Sequence, residues 1–109
     1  MPTSYKVLGQ RIPAATTPET LYTVPASTSA VISTITVCNQ AATAATYRIA
    51  IRKAGAALSA LQYIAYDATV RANDTTALTL GITLATTDIV TVYASSTTLS
   101  FNAFGSEIS

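Results

Sequence analysis

The sequence predicts an all-β domain, a single β-sandwich or jelly-roll-like fold of about eight short strands behind an extended N-terminal arm. Apolar and polar residues alternate with period two over much of the chain, and the apolar places are filled by β-branched and aromatic residues, which suit a pleated, half-buried surface. Turn-forming clusters recur every ten to twelve residues or so, the spacing of short strands in a sandwich. With 109 residues, the chain has the length of one domain with one core.

Residues 1–18 read as the arm and 19–109 as the sandwich. Pro2, Pro13 and Pro18 each remove a backbone donor, and Ala14-Ala15-Thr16-Thr17 has no pattern that buries a face. Within the arm, Tyr5-Lys6-Val7-Leu8 is strand-like, suited to pairing with a neighbour or folding back as an edge strand. A strand follows at Glu19–Val24. In the next, Val31, Ser33, Ile35 and Val37 oppose Ile32, Thr34, Thr36 and Cys38, so both faces are partly apolar, as in an inner strand.

From Thr46 to Arg52, Tyr47, Ile49 and Ile51 point one way and Arg48, Ala50 and Arg52 the other. Ala54 to Ala60 is expected as a loop. Leu61–Tyr66 forms the next strand, with Tyr63 and Tyr66 on opposite faces, one ring inside and one outside. Ala77 to Leu84 is expected as one strand with Leu78, Leu80, Ile82 and Leu84 aligned; Gly81 marks a bulge or a close backbone approach within it. Ile89–Ala94 and Leu99–Phe104 complete the set. Turns are expected at Pro25-Ala26-Ser27, Asn39-Gln40, Ala54-Gly55, Ala72-Asn73-Asp74, Thr86-Thr87-Asp88 and Ser95-Ser96.

Charge is scarce. Six Lys and Arg and five Asp and Glu make 10% of a chain that is 50% apolar, with a mean hydropathy of +0.41, whereas soluble domains average about 25% charged residues. Neutral hydroxyls must wet much of the surface, or other protein must cover it. Thr, Ser, Asn or a charge breaks every apolar run short of the ~18 residues of a membrane span, so no membrane partner is expected. Met1 to Gln10 lacks the pattern of a signal peptide. Six scattered cations do not build a phosphate-binding track, which argues against nucleic acid as a partner.

The chemical inventory is thin. There is no histidine, hence no imidazole base or ligand. The lone Cys38 excludes an internal disulfide and reads as a small buried hydrophobe. Asp74 and Asp88 fall in turns, where such side chains bond their own backbone, and Asn73-Asp74-Thr75 reads as a tight turn. No catalytic residue, metal ligand or cofactor site is expected, and the chain is read as a non-enzyme. The remaining candidates are contact residues. Arg48 and Arg52 lie ~13 Å apart on one strand face, with Lys53 extending the patch toward an acidic partner surface. Tyr63 offers an interface ring, one of six Tyr residues that also raise the question of a glycan platform from Tyr5, Tyr22 or Tyr63.

Several segments together resemble small virion structural proteins of tailed bacteriophages: Tyr5-Lys6-Val7-Leu8-Gly9-Gln10, Leu21-Tyr22-Thr23-Val24-Pro25, Tyr47-Arg48-Ile49-Ala50-Ile51-Arg52, Gln62-Tyr63-Ile64-Ala65-Tyr66-Asp67, Leu78-Thr79-Leu80-Gly81-Ile82-Thr83-Leu84 and Val92-Tyr93-Ala94-Ser95 through Leu99-Ser100-Phe101. Among these, size fits a capsid decoration, or cement, protein best. That resemblance implies a homo-oligomer, commonly a trimer, made in the host cytoplasm and placed on the capsid surface. There it would bind the major capsid protein over capsomer joints and stabilise the shell. The arm, with Tyr5, Lys6, Val7 and Leu8, would clamp a partner strand by β-addition. The alternative is a tail, baseplate or fibre component that binds a receptor or glycan.

Overall fold

A computed structural model describes residues 2–109 as two antiparallel sheets packed face to face. The strands are β1 (Thr3–Arg11), β2 (Glu19–Thr23), β3 (Ser29–Asn39), β4 (Ala45–Arg52), β5 (Tyr63–Val70), β6 (Thr75–Leu78), β7 (Ile82–Leu84), β8 (Ile89–Ala94) and β9 (Leu99–Ile108). The larger sheet runs β1-β9-β3-β6, with β7 sharing the far side of β3 beside β6; the smaller runs β2-β8-β4-β5. The chain is thus an all-β sandwich.

The core lies where the inner faces meet. Ile32, Ile35, Val37, Leu99, Phe101 and Ala103 from one sheet are fully buried against Ile49, Val90, Val92 and Ala94 from the other. Tyr47 meets Phe101 edge to face, ring centroids 6.2 Å apart, the arrangement that ring quadrupoles favour. The inward set expected for Tyr47, Ile49 and Ile51 holds, with Ile51 half-buried.

Bulges reset the alternation at several places. In β3, Ser33 is an extra residue between the pairs Ile32↔Gly105 and Thr34↔Phe104. Ala30 and Ile32 therefore share the core with Ile35 and Val37, not with Cys38. Cys38 sits on the outward face and is only part-buried, which corrects its reading as a buried hydrophobe. In β1, Leu8 is the extra residue between Val7↔Phe104 and Gly9↔Ala103, and it packs against the core.

Two further corrections come from local backbone. The run 77–84 is two strands, making nine in all, because Gly81 adopts φ +63° and Leu80 swings out to 55% exposure. A Cβ at Gly81 would meet nothing within 4 Å, so the glycine serves a turn and not a close approach. In β5, the register passes from Ala50↔Tyr63 to Ile49↔Ala65 and then to Tyr47↔Ala68, with Asp67 at φ +51°. These shifts put Tyr63 and Tyr66 together, rings 5.0 Å apart, with neither in the core.

Residues 12–18 cross between the sheets. Pro13 is fully buried, Thr16 donates its amide to the Ala94 carbonyl, and Glu19 accepts from the Ala14 amide and Arg11. Gly9 passes so close to β2 that a Cβ there would lie 2.1 Å from the Leu21 carbonyl oxygen.

Polar side chains, with Asn39 and Asp88 buried, pin the loops. Asn39 Nδ2 donates to the carbonyls of Thr43, Val70 and Arg71 while its Oδ1 accepts from the Ala41 amide and the Thr98 hydroxyl. Asp88 accepts from the amides of Ala54 and Ala85, and Asp74 from Thr75. The turn role expected of both aspartates is what the geometry provides. The segment 54–60 is a loop entered by a 3-10 turn (Lys53–Gly55) and left by another (Ala60–Gln62).

Candidate interaction surfaces

The sequence-derived contact residues divide between the two sheets, and not all of them face outward. Tyr5, Lys6, Val7 and Leu8 belong to β1 of the larger sheet; Arg48, Arg52, Lys53 and Tyr63 lie on or beside the smaller. A glycan platform from Tyr5, Tyr22 and Tyr63 is not assembled, since Tyr22 is buried and the other two lie on different sheets.

Directly paired residues of antiparallel strands share a face, so the register defines the outer face of the larger sheet. One row across it is Tyr5, Ser106, Val31 and Thr83; the next is Val7, Phe104 and Thr34; the next is Gln10, Asn102, Thr36 and Ala77; then Ser100, Cys38 and Thr75. Among the described residues no acidic or basic side chain lies on this face. Its exposed apolar residues gather toward the β1 side, with Tyr5 85%, Val7 48% and Phe104 38% exposed. Its border is neutral, tied by bonds such as Gln10 Nε2 to Asn102 Oδ1 at 2.7 Å.

Inward turns remove the charges of β1 from that face. Lys6 shares the side of Gly105 and Ile32 and forms an ion pair with Glu107 at 2.7 Å. Arg11, opposite buried Phe101, reaches Glu19 on the other sheet at 2.7 Å. Beyond β1 the larger sheet has no further strand, so one side of this nine-residue element is open. Natural edges are often guarded by a free lysine; here the lysine is held by Glu107.

Glu107 also accepts a hydrogen bond from the Tyr22 hydroxyl at 2.5 Å, joining the two sheets. The Lys6 ammonium, then the Tyr22 hydroxyl, hold its carboxyl below the ordinary carboxylate range; burial and the same carboxylate push the Tyr22 phenol above its usual value. A depressed carboxylate contributes stability that is complete above about pH 4.5 and is lost as pH falls through its lowered value. Glu107→Gln is therefore expected to lower the melting temperature at pH 7 by roughly 5 °C or more, from loss of charged hydrogen bonds worth about 1.5–3 kcal/mol. In thermal melts the gap should narrow as pH falls through the lowered value of Glu107, where the parent carboxyl also becomes neutral. The phenol has the opposite sense: its contribution is full below about pH 10 and fades above it.

On the smaller sheet, Arg48 is held on three sides. Asp67 accepts from its Nε at 2.7 Å and from its second nitrogen at 3.3 Å, and the rings of Tyr66 and Tyr93 lie 4.2 and 4.3 Å from the guanidinium carbon. The Asp67 hydrogen bond raises the guanidinium above its ordinary value. Arg52 donates to the carbonyls of Ala56 and Gly55 and shapes the loop. Lys53 is exposed beside it. Both arginines of the expected cationic patch are thus engaged within the chain. Next to them, Leu58, Ser59, Ala60, Tyr63 and Tyr66 line an open groove of about 620 Å³.

Sequence reasoning missed Glu107, Tyr66 and Tyr93, because their partners come from other strands. Tyr93, Tyr66 and Asp67 look like ordinary strand residues until the register sets them around Arg48. Neither protein-family models nor curated proteins match this chain.

Proposed function

We propose that the chain is a non-enzymatic structural protein of a virion, a capsid decoration protein that binds the major capsid protein across capsomer joints and strengthens the shell of a tailed phage. What carries this reading is a charge-free sheet face whose exposed apolar residues gather toward an open edge strand. A surface that must stay apart from neighbours in water is normally studded with charge; this one is finished for contact with protein. The open side of β1 offers a row of backbone donors and acceptors that an extended capsid segment can extend by β-addition. Many such weak contacts, repeated over a lattice, multiply through linkage.

Quantitative mass spectrometry of purified particles tests the reading. Copies comparable in number to the major capsid protein are expected. A handful of copies per particle would make the chain a tail or baseplate part, and absence from particles would end the proposal.

A further inference from the structure

We infer that the charge-free outer face of the larger sheet is covered by the same face of a second copy of this chain, giving a two-fold pair. This deepens the structural-protein reading and rests on it. The first ground is charge. A face without acidic or basic side chains gives a partner's charges nothing to pair with, and an unpaired buried charge is strongly unfavourable. Its occupant must be equally free of charge over the whole footprint and must match the twist of the sheet. Among the described residues, the surface that meets both conditions is this face itself.

The second ground is area. β3 has 11 residues, which at ~3.3 Å each is ~35 Å, and four strands abreast at ~4.8 Å spacing cover ~20 Å, so the face presents ~700 Å², close to the ~800 Å² per partner of a stable interface. Its apolar residues Tyr5, Val7, Phe104 and Val31 run from β1 across β9 to β3 beside neutral Thr, Ser, Asn and Gln, the charge-depleted make-up of an interface core. Two such sheets pack ~10 Å apart with strands near 30°. The contact is isologous and closes at two copies, in place of the trimer that the resemblance implies. The open edge of β1 remains free in the pair for a capsid strand.

Sedimentation equilibrium of the full chain, from micromolar to millimolar concentration, tests this. A monomer–dimer equilibrium is expected. Val7→Lys and Thr34→Lys, both at outward positions, should weaken it at least ~100-fold by setting like charges against each other across the two-fold, while Thr69→Lys on the smaller sheet should leave it unchanged. Circular dichroism melts confirm that the variants are folded. A monomer at every concentration, a trimer mass, or a dimer indifferent to Val7→Lys would overturn the pair. The two readings fail separately: a monomeric chain still abundant on particles removes the pair alone, and a robust dimer absent from particles removes the decoration role alone.

Discussion

Ile49→Asp is expected to abolish cooperative unfolding. Ile49 is fully buried in β4, the inner strand between β8 and β5, opposite Val92 on one side and Ala65 on the other. Removing it forfeits about 2–4 kcal/mol of burial and packing. The carboxylate that replaces it has no cation within the apolar interior, and its effective desolvation costs several kcal/mol more. A domain of this size holds only about 5–15 kcal/mol in total. Near-ultraviolet circular dichroism and calorimetry should therefore show no native baseline at neutral pH. A cooperative melt within a few degrees of the parent would mean that β4 does not face the core.

The second large effect is expected at Gly105, for a steric reason. A Cβ on Gly105 would lie 1.9 Å from the Val31 carbonyl oxygen and 2.9 Å from its carbon, both backbone atoms of β3. β9 is held between β1 and β3 along nearly its whole length, so it cannot step aside without breaking ladder hydrogen bonds. Gly105→Ala should cost at least ~3 kcal/mol, at the upper end of overpacking effects, and lower the melting temperature by more than ~12 °C. Gly81→Ala is the contrast. There the space is open and only the positive φ resists the change, so a loss of about 1 kcal/mol is expected. Equal losses at the two positions would show that the close approach of β9 to β3 is not real.

The residues around Gly105 also show how far alternation can be read. Ser33 and Leu8 are both extra residues in strands flanking β9, at the level of Phe104. Period-two counting across Ile32 and Ile35 assigns them to opposite faces, yet both are buried. Nothing in Ile32-Ser33-Thr34-Ile35 marks the bulge, because it is chosen against the partner strand and not by local preference. The same cause brought Tyr63 and Tyr66 to one side. Where no bulge intervenes, as along β8, the sequence limits Ile89–Ala94 and the observed strand coincide.

By composition and pattern alone, this chain was committed to strands, to a single core and to a surface wetted by hydroxyls with few charges. Those properties are local or additive, since side-chain alternation, turn chemistry and charge count need no knowledge of a partner. Tertiary structure decided where the few charges went. Lys6 could turn toward Glu107, Glu107 could meet Tyr22 eighty-five residues away, and Arg48 could be enclosed by Asp67, Tyr66 and Tyr93 only after sheet order and bulges had set the register. One whole face was thereby left without charge, a consequence of pairing geometry that no reading along the chain contains.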